Sequence, residues 1–220
     1  MKVKLLAAID ETGPMPFEVF MEYALYDTEG GFFGAGDLKS VKAGDFLTSP
    51  EVSPMFGEAI GRLVQSEHDR IGDPFVLVEV AAGSGSLLRP LLASLDRDLA
   101  TWAVEISPAA RAALAEIVPS DRVAESLEEV PAPFRGVLVA NELIDNLPMA
   151  IAQRVGGQWR ERWVGADGGE LALIDAVPRP DVAEWLDRFA GPVPDGGLVE
   201  VQLEAADWLQ QAMSMIEAGS

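Results

Sequence analysis

The stretch Phe75 to Ala93, FVLVEVAAGSGSLLRPLLA, narrows the folds open to this chain more than any other. Phe75-Val76-Leu77-Val78, closed by Glu79-Val80, is a continuous apolar run, the pattern of a parallel strand covered on both faces. Leucines at 87, 88, 91, 92 and 95 then keep the spacing of one helix face. Between them, Ala81-Ala82-Gly83-Ser84-Gly85-Ser86 is too small and too glycine-rich to belong to either element. Strand, tight turn and helix form the first half of a βαβ unit. At the carboxyl end of such a strand a crevice opens, where a nucleotide-like ligand can approach bare backbone.

Glycine spacing and acid placement discriminate among ligands. A dinucleotide fingerprint laid on Gly83 and Gly85 needs a third glycine where this chain has Leu88, too bulky for the close helix–strand packing that glycine serves. A phosphate-cradling loop fails because no Gly-Lys-Ser/Thr follows. What remains is Glu79, Ala81, Gly83 and Gly85, which resembles motif I (D/E-x-G-x-G-x-G) of class I S-adenosylmethionine-dependent methyltransferases, with Ala81 in place of one glycine. Beyond it a short apolar strand, Trp102-Ala103-Val104, ends in Glu105, where such folds place the carboxylate that accepts both ribose hydroxyls. That spacing supports a ribose without separating NAD from S-adenosylmethionine.

Composition removes other chemistries. There is no cysteine, hence no disulfide framework and no Cys/His zinc site, and no metal is expected. The single histidine, His68, sits in a polar helix end and reads as solvated. With 220 residues and 49% hydrophobic content the chain can bury a large core. A formal charge of −20 disfavours nucleic acid and favours cationic partners. The opening Met1 to Ile9 is too short for a signal peptide and no run is long enough for a membrane span, so a cytoplasmic protein is expected.

Along the chain, Pro16 to Tyr26 carries an apolar helix face of Phe17, Phe20, Met21, Ala24 and Leu25. Gly44-Asp45-Phe46-Leu47-Thr48 precedes Ser49-Pro50-Glu51, which has the signals of a helix start; the helix should run to about Ile71 and bury Met55, Phe56, Ala59, Ile60, Leu63 and Val64. Pro108 to Val118 reads as a crossover helix, Arg122 to Ala124 as a brief strand ending near Glu125, and Gly136 to Ala140 as a fourth strand. The polar cluster Asn141-Glu142-Leu143-Ile144-Asp145-Asn146 follows, at the sheet edge where ligands sit in open α/β folds. Two β-like runs joined by Gly156-Gly157 suggest a hairpin, extended by Glu170 to Ile174, and Ala205 to Ala218 reads as a last amphipathic helix.

Taken together, GPMPFEVFMEYALYDTEGGFF (13–33), GDFLTSPEVSPMFGEAIGR (44–62), LVEVAAGSGSL (77–87), VEISPAAR (104–111), VANELIDNLP (139–148) and WRERWV (159–164) resemble the MidA-like methyltransferases. Mitochondrial members of that family assist assembly of respiratory complex I as protein arginine methyltransferases. The resemblance implies a class I methyltransferase fold, a Rossmann-like parallel sheet with helices on both faces, an N-terminal helical extension over 1–72 and a cofactor domain over 73–220 with a β-hairpin insertion at 151–174. It implies S-adenosylmethionine as cofactor, bound through Glu79, Ala81, Gly83, Gly85, Glu105 and Glu125, with Thr48, Ser49 and Glu51 closing the site. Asn141, Glu142 and Asp145 would serve the acceptor, a protein side chain such as arginine, in a protein substrate such as a respiratory-complex subunit. The family continues into a fifth strand and further residues, so strand four is expected as a bare edge, with three resolutions: a fragment, a homodimer pairing that edge, or the hairpin covering it. A non-catalytic assembly or scaffold protein keeping the same shell is the alternative function.

Overall fold

A computed structural model describes residues 1–35 and 53–220. Thr48, Ser49 and Glu51, with Gly44 to Leu47, lie outside the described residues. In chain order, helices α1 (Lys2–Thr12) and α2 (Phe17–Tyr26) flank a short strand β1 (Met15–Pro16). Helix α3 (Pro54–Ile71) leads into β2 (Val76–Val80), α4 (Leu88–Ala93), β3 (Ala100–Val104), α5 (Pro108–Leu114), β4 (Val123–Ala124) and β5 (Phe134–Ala140). Strands β6 (Ala150–Val155), β7 (Gln158–Asp167) and β8 (Glu170–Ala176), helix α6 (Pro180–Phe189), β9 (Leu198–Val201), α7 (Leu203–Met215) and β10 (Ile216–Gly219) follow.

These elements form two compact units, the described part of Gly36–Leu143 with Gln210–Ser220, and Met1–Ala35 with Ile144–Leu209. This division differs from the expected one near residue 72. The unit carrying the glycine loop is a parallel sheet in the order β10-β5-β2-β3-β4. Its core is built from Leu77, Ala103 and Val137 of the strands and Val64, Leu88, Leu91 and Leu114 of the helices. β2 is central and shielded on both sides, which is why its sequence is an uninterrupted apolar run.

Several expectations for this unit change. Helix α3 starts at Pro54, where Ser53 Oγ accepts from the Met55 N–H (3.2 Å). Its buried line is Gly57, Gly61, Val64 and His68, while Met55 and Leu63 are 72% and 51% exposed. Glycine decides the face: a Cβ at Gly57 would lie 2.5 Å from Pro90 Cγ and 3.0 Å from the Leu87 carbonyl oxygen, so α4 can approach only where side chains are missing. His68 falls on that line and is buried, with Nε2 3.2 Å from Asp73 Oδ1 and its ring edge-on to Phe75 at 5.2 Å. The final helix ends at Met215 rather than Ala218, and Ile216–Gly219 pairs with β5 as β10. The edge of β5 expected to be bare is therefore covered, by neither a dimer nor the hairpin, because its free backbone groups take the segment after α7 as partner.

The other unit is an antiparallel sheet in the order β1-β7-β6-β9, with β8 on β7. The hairpin β6–β7 turns at Gly156 (φ 57°) and Gly157 (φ 76°), the left-handed pair that a two-residue turn requires. It is not an isolated insertion. α1 and β1 bury Leu5, Ile9 and Met15 with Val164 of β7, and α6 buries Val182 and Leu186 with Ala150, Ala152 and Val201. Glu161 of β7, fully buried, accepts from the backbone N–H (2.8 Å) and Nε (2.9 Å) of Arg179 at the start of α6, so its charge is paired.

Candidate functional site

Strand register aligns the carboxyl ends of four strands. Val80 of β2 faces Val104 of β3 and Ala140 of β5, and Val104 faces Ala124 of β4. The residues that leave the sheet from this row are Ala81, Glu105, Glu125 and Asn141, which stand far apart in sequence and were each chosen from it as site residues.

Glu105 is 8% exposed and its carboxylate is anchored by backbone: Oε2 accepts from the Gly83 N–H and Oε1 from the Ser107 N–H, both at 2.8 Å. Glu79, on β2 and 3% exposed, has no such support, and its Oε2 is buried without a hydrogen-bond partner among the described residues. Burial, helped by the neighbouring Glu105 charge, pushes its pKa up to about 8. One carboxyl thus accepts from two backbone amides, while burial favours the protonated form of the other.

The loop between them has three left-handed backbones. Ala81 adopts φ 55°, a left-handed conformation that suits the glycine of the motif. Gly83 (φ 54°) faces open space, with nothing within 4 Å of the Cβ position, so a ligand can lie against it. Gly85 (φ 78°) behaves differently: a Cβ there would run into Ile117, so its missing side chain serves packing against the region after α5. An orphaned buried carboxyl, an anchored acid on the next strand and an open glycine fit the ammonium and ribose of S-adenosylmethionine.

The polar cluster after β5 is divided. Asn141 is half-buried and Glu142 exposed at φ 55°, a second left-handed backbone at the same sheet edge. Asp145, exposed in the 3₁₀ turn Ile144–Asn146, belongs to the other unit, where the Asn146 carbonyl accepts from Tyr26 Oη at 2.6 Å. Glu125 is ion-paired with Arg111 Nη2 at 2.9 Å, and Arg111 also binds the carbonyls of Glu105 and Ile106. Arg111 and the Ser107 amide carry no signal as single residues; both lie within VEISPAAR, the segment matched to the family. Among the described residues no group of His, Cys, Asp and Glu could hold a metal ion, and no helix is long and apolar enough to cross a membrane.

A parallel sheet of this order, with an acid and glycine loop after its central strand and a second acid after the next, defines a Rossmann-like nucleoside-cofactor site of the class I methyltransferase type. Residues 59–220 match the family described as "Putative S-adenosyl-L-methionine-dependent methyltransferase". The chain belongs to this family. It is 33% identical to the mitochondrial protein arginine methyltransferase NDUFAF7 homolog of Drosophila melanogaster, over 86% of this chain and 49% of that protein. It is 27% identical to the Xenopus tropicalis protein arginine methyltransferase NDUFAF7, mitochondrial, over 97% of this chain and 57% of that protein. A crystal structure of a Burkholderia thailandensis protein bound to S-adenosyl-homocysteine superposes with a TM-score of 0.80 at 29% identity, covering 99% of this chain and 60% of that one. The chain thus spans about half the length of the curated relatives it matches. The cytoplasmic expectation is corrected by these findings, since the relatives from fly, frog and Bos taurus are named as mitochondrial proteins. The scaffold alternative gains nothing from them either: the relatives are named as methyltransferases and the structural neighbour holds S-adenosyl-homocysteine.

Proposed function

We propose that this chain binds S-adenosylmethionine along the row Ala81, Glu105 and Glu125 and, in the whole protein, serves methyl transfer to an arginine side chain of a protein substrate, such as a respiratory-complex subunit. The observation that carries the reading is the pair of buried carboxyls, Glu79 orphaned and Glu105 anchored, on either side of a glycine that faces open space. When bound, the cofactor supplies an electrophilic methyl group on a sulfonium. Glu79 takes the ammonium of its amino-acid end, Glu105 the ribose hydroxyls, and Gly83 leaves room for the chain between them. Glu125 bounds the nucleoside on the outer side, and Ala81 and Gly85 shape the turn.

For the acceptor, carboxylates must hold a guanidinium bidentately and concentrate its charge on the nitrogens that do not attack. Glu142, which follows β5 beside the glycine loop's strand, and Asp145 are the candidates for this, and Asn141 would hold the substrate or the methionine amine. The named activity of the relatives and the net charge of −20 support a cationic protein acceptor.

The test is calorimetry with S-adenosylmethionine together with methyl transfer to an arginine peptide, on wild type, Glu142→Gln and Asp145→Asn. Turnover should fall at least tenfold with cofactor affinity nearly intact, the mark of an interaction made with the acceptor in the transition state. Loss of cofactor affinity in both variants would move these residues to the donor site. Preserved turnover with about 1 kcal/mol lost from stability would make them helix caps. If this chain alone transfers no methyl group, the same variants are measured in a full-length relative.

A further inference from the structure

The guanidinium of Arg111, on α5, reaches back to the ends of two strands. Nη1 donates to the carbonyl oxygens of Glu105 (2.9 Å) and Ile106 (2.7 Å), and Nη2 lies 2.9 Å from Glu125 Oε2. Glu105 is thereby held from every side: its N–H donates to the Ala124 carbonyl (3.0 Å), its carbonyl accepts from Arg111, and its carboxylate accepts from Gly83 and Ser107. Glu125 is held less firmly. Its side chain is 62% exposed and its carboxylate is oriented by Arg111. A planar fork of five donors can serve two carbonyls and a carboxylate at once, which a single ammonium cannot do in the same geometry.

An ion pair whose carboxylate is exposed adds little to stability by itself. These contacts instead converge on the two acids that follow β3 and β4. We propose that Arg111 is a positioning residue of the cofactor site, holding Glu105 and Glu125 in the register that receives the adenosine part of S-adenosylmethionine. The inference rests on the reading of Glu105 as the ribose acid. Arg111 acts through the carbonyls of Glu105 and Ile106 and through the Glu125 carboxylate, without touching the cofactor.

The experiment titrates S-adenosylhomocysteine and 5′-methylthioadenosine, which keeps the nucleoside and lacks the amino-acid end, into the full chain as wild type, Arg111→Met, Arg111→Lys and Glu105→Ala. Thermal melts and hydrogen exchange at the Gly83 and Ser107 amides accompany the titrations. Arg111→Met should weaken both ligands by the same factor, tenfold or more, melt within a few degrees of wild type, and exchange both amides faster. Arg111→Lys should recover part of the affinity, and it carries the test should Arg111→Met fail to fold. Binding within twofold of wild type in Arg111→Met overturns the proposal, as does a loss confined to S-adenosylhomocysteine. Unchanged exchange of the two amides overturns it without any ligand. If Glu105→Ala loses affinity and Arg111→Met does not, the ribose reading stands and the Arg111 proposal alone falls; if Glu105→Ala binds like wild type, the ribose reading fails and takes the proposal with it.

Discussion

Glu79 and Glu105 are one residue type in opposite surroundings. Glu105 accepts from two backbone amides, whereas Glu79 meets desolvation and a neighbouring negative charge. Because the Glu79 pKa is raised to about 8 in the folded chain from an ordinary 4.5, the folded state binds its proton more tightly than the unfolded state. The sign follows: this contribution to stability is present in full below about pH 4.5 and is lost as pH rises toward 8. Glu79→Gln should remove that slope, matching wild type below about pH 4.5 and exceeding it by on the order of 5 kcal/mol above pH 8 in denaturant titrations. A pH-independent difference between the two would show that Glu79 ionises as in water. Ala81 yields a second prediction. At φ 55° an alanine side chain is strained where glycine is not, so Ala81→Gly should stabilise the chain by about 1 kcal/mol, against the backbone-entropy cost expected of glycine in an ordinary conformation. A lower melting temperature would refute this.

At the scale of elements, α3 illustrates how a helix face is chosen by its neighbour. An apolar stripe of Met55, Ala59 and Leu63 is present in the sequence and stays exposed, while the line of Gly57, Gly61, Val64 and His68 packs inward. Close approach to α4 supplies more contact per residue than burying a flexible methionine could. Gly57→Ala therefore sets two effects against each other. The helix gains about 1 kcal/mol of propensity, and overpacking against Pro90 and the Leu87 carbonyl costs about 1–3 kcal/mol. The neighbours include backbone, which cannot rotate away, so net destabilisation of roughly 1 kcal/mol is expected in urea melts. A stabilised variant would mean that α3 and α4 separate at no cost. The motif strands, by contrast, keep their boundaries to within a residue or two of the sequence reading, because burial on both faces leaves β2 little choice but a continuous apolar run.

For the whole molecule, the decisive non-local event is the return of Ile216–Gly219 to β5. Removing residues 216–220 should expose the β5 edge, lower the melting temperature and raise self-association in size-exclusion chromatography; a monomer of unchanged stability would show that the pairing is dispensable. Much of the geometry at this sheet edge is legible in the sequence. A strand, a small-residue turn and a helix are encoded by local periodicity and glycine placement, and acids that follow apolar runs mark strand ends wherever those ends go. The same local code placed the β6–β7 turn at Gly156-Gly157. Tertiary structure alone decided which ends stand side by side, that Gly85 packs on Ile117 while Gly83 stays open, that His68 is buried, and that the N-terminal strand β1 joins the sheet of the hairpin. It also assigned Arg111 to Glu105 and Glu125. The reason is physical: periodicity and turn chemistry are settled within a few residues, whereas strand pairing, helix approach and the fate of a buried charge depend on competing partners far along the chain, which no local window contains.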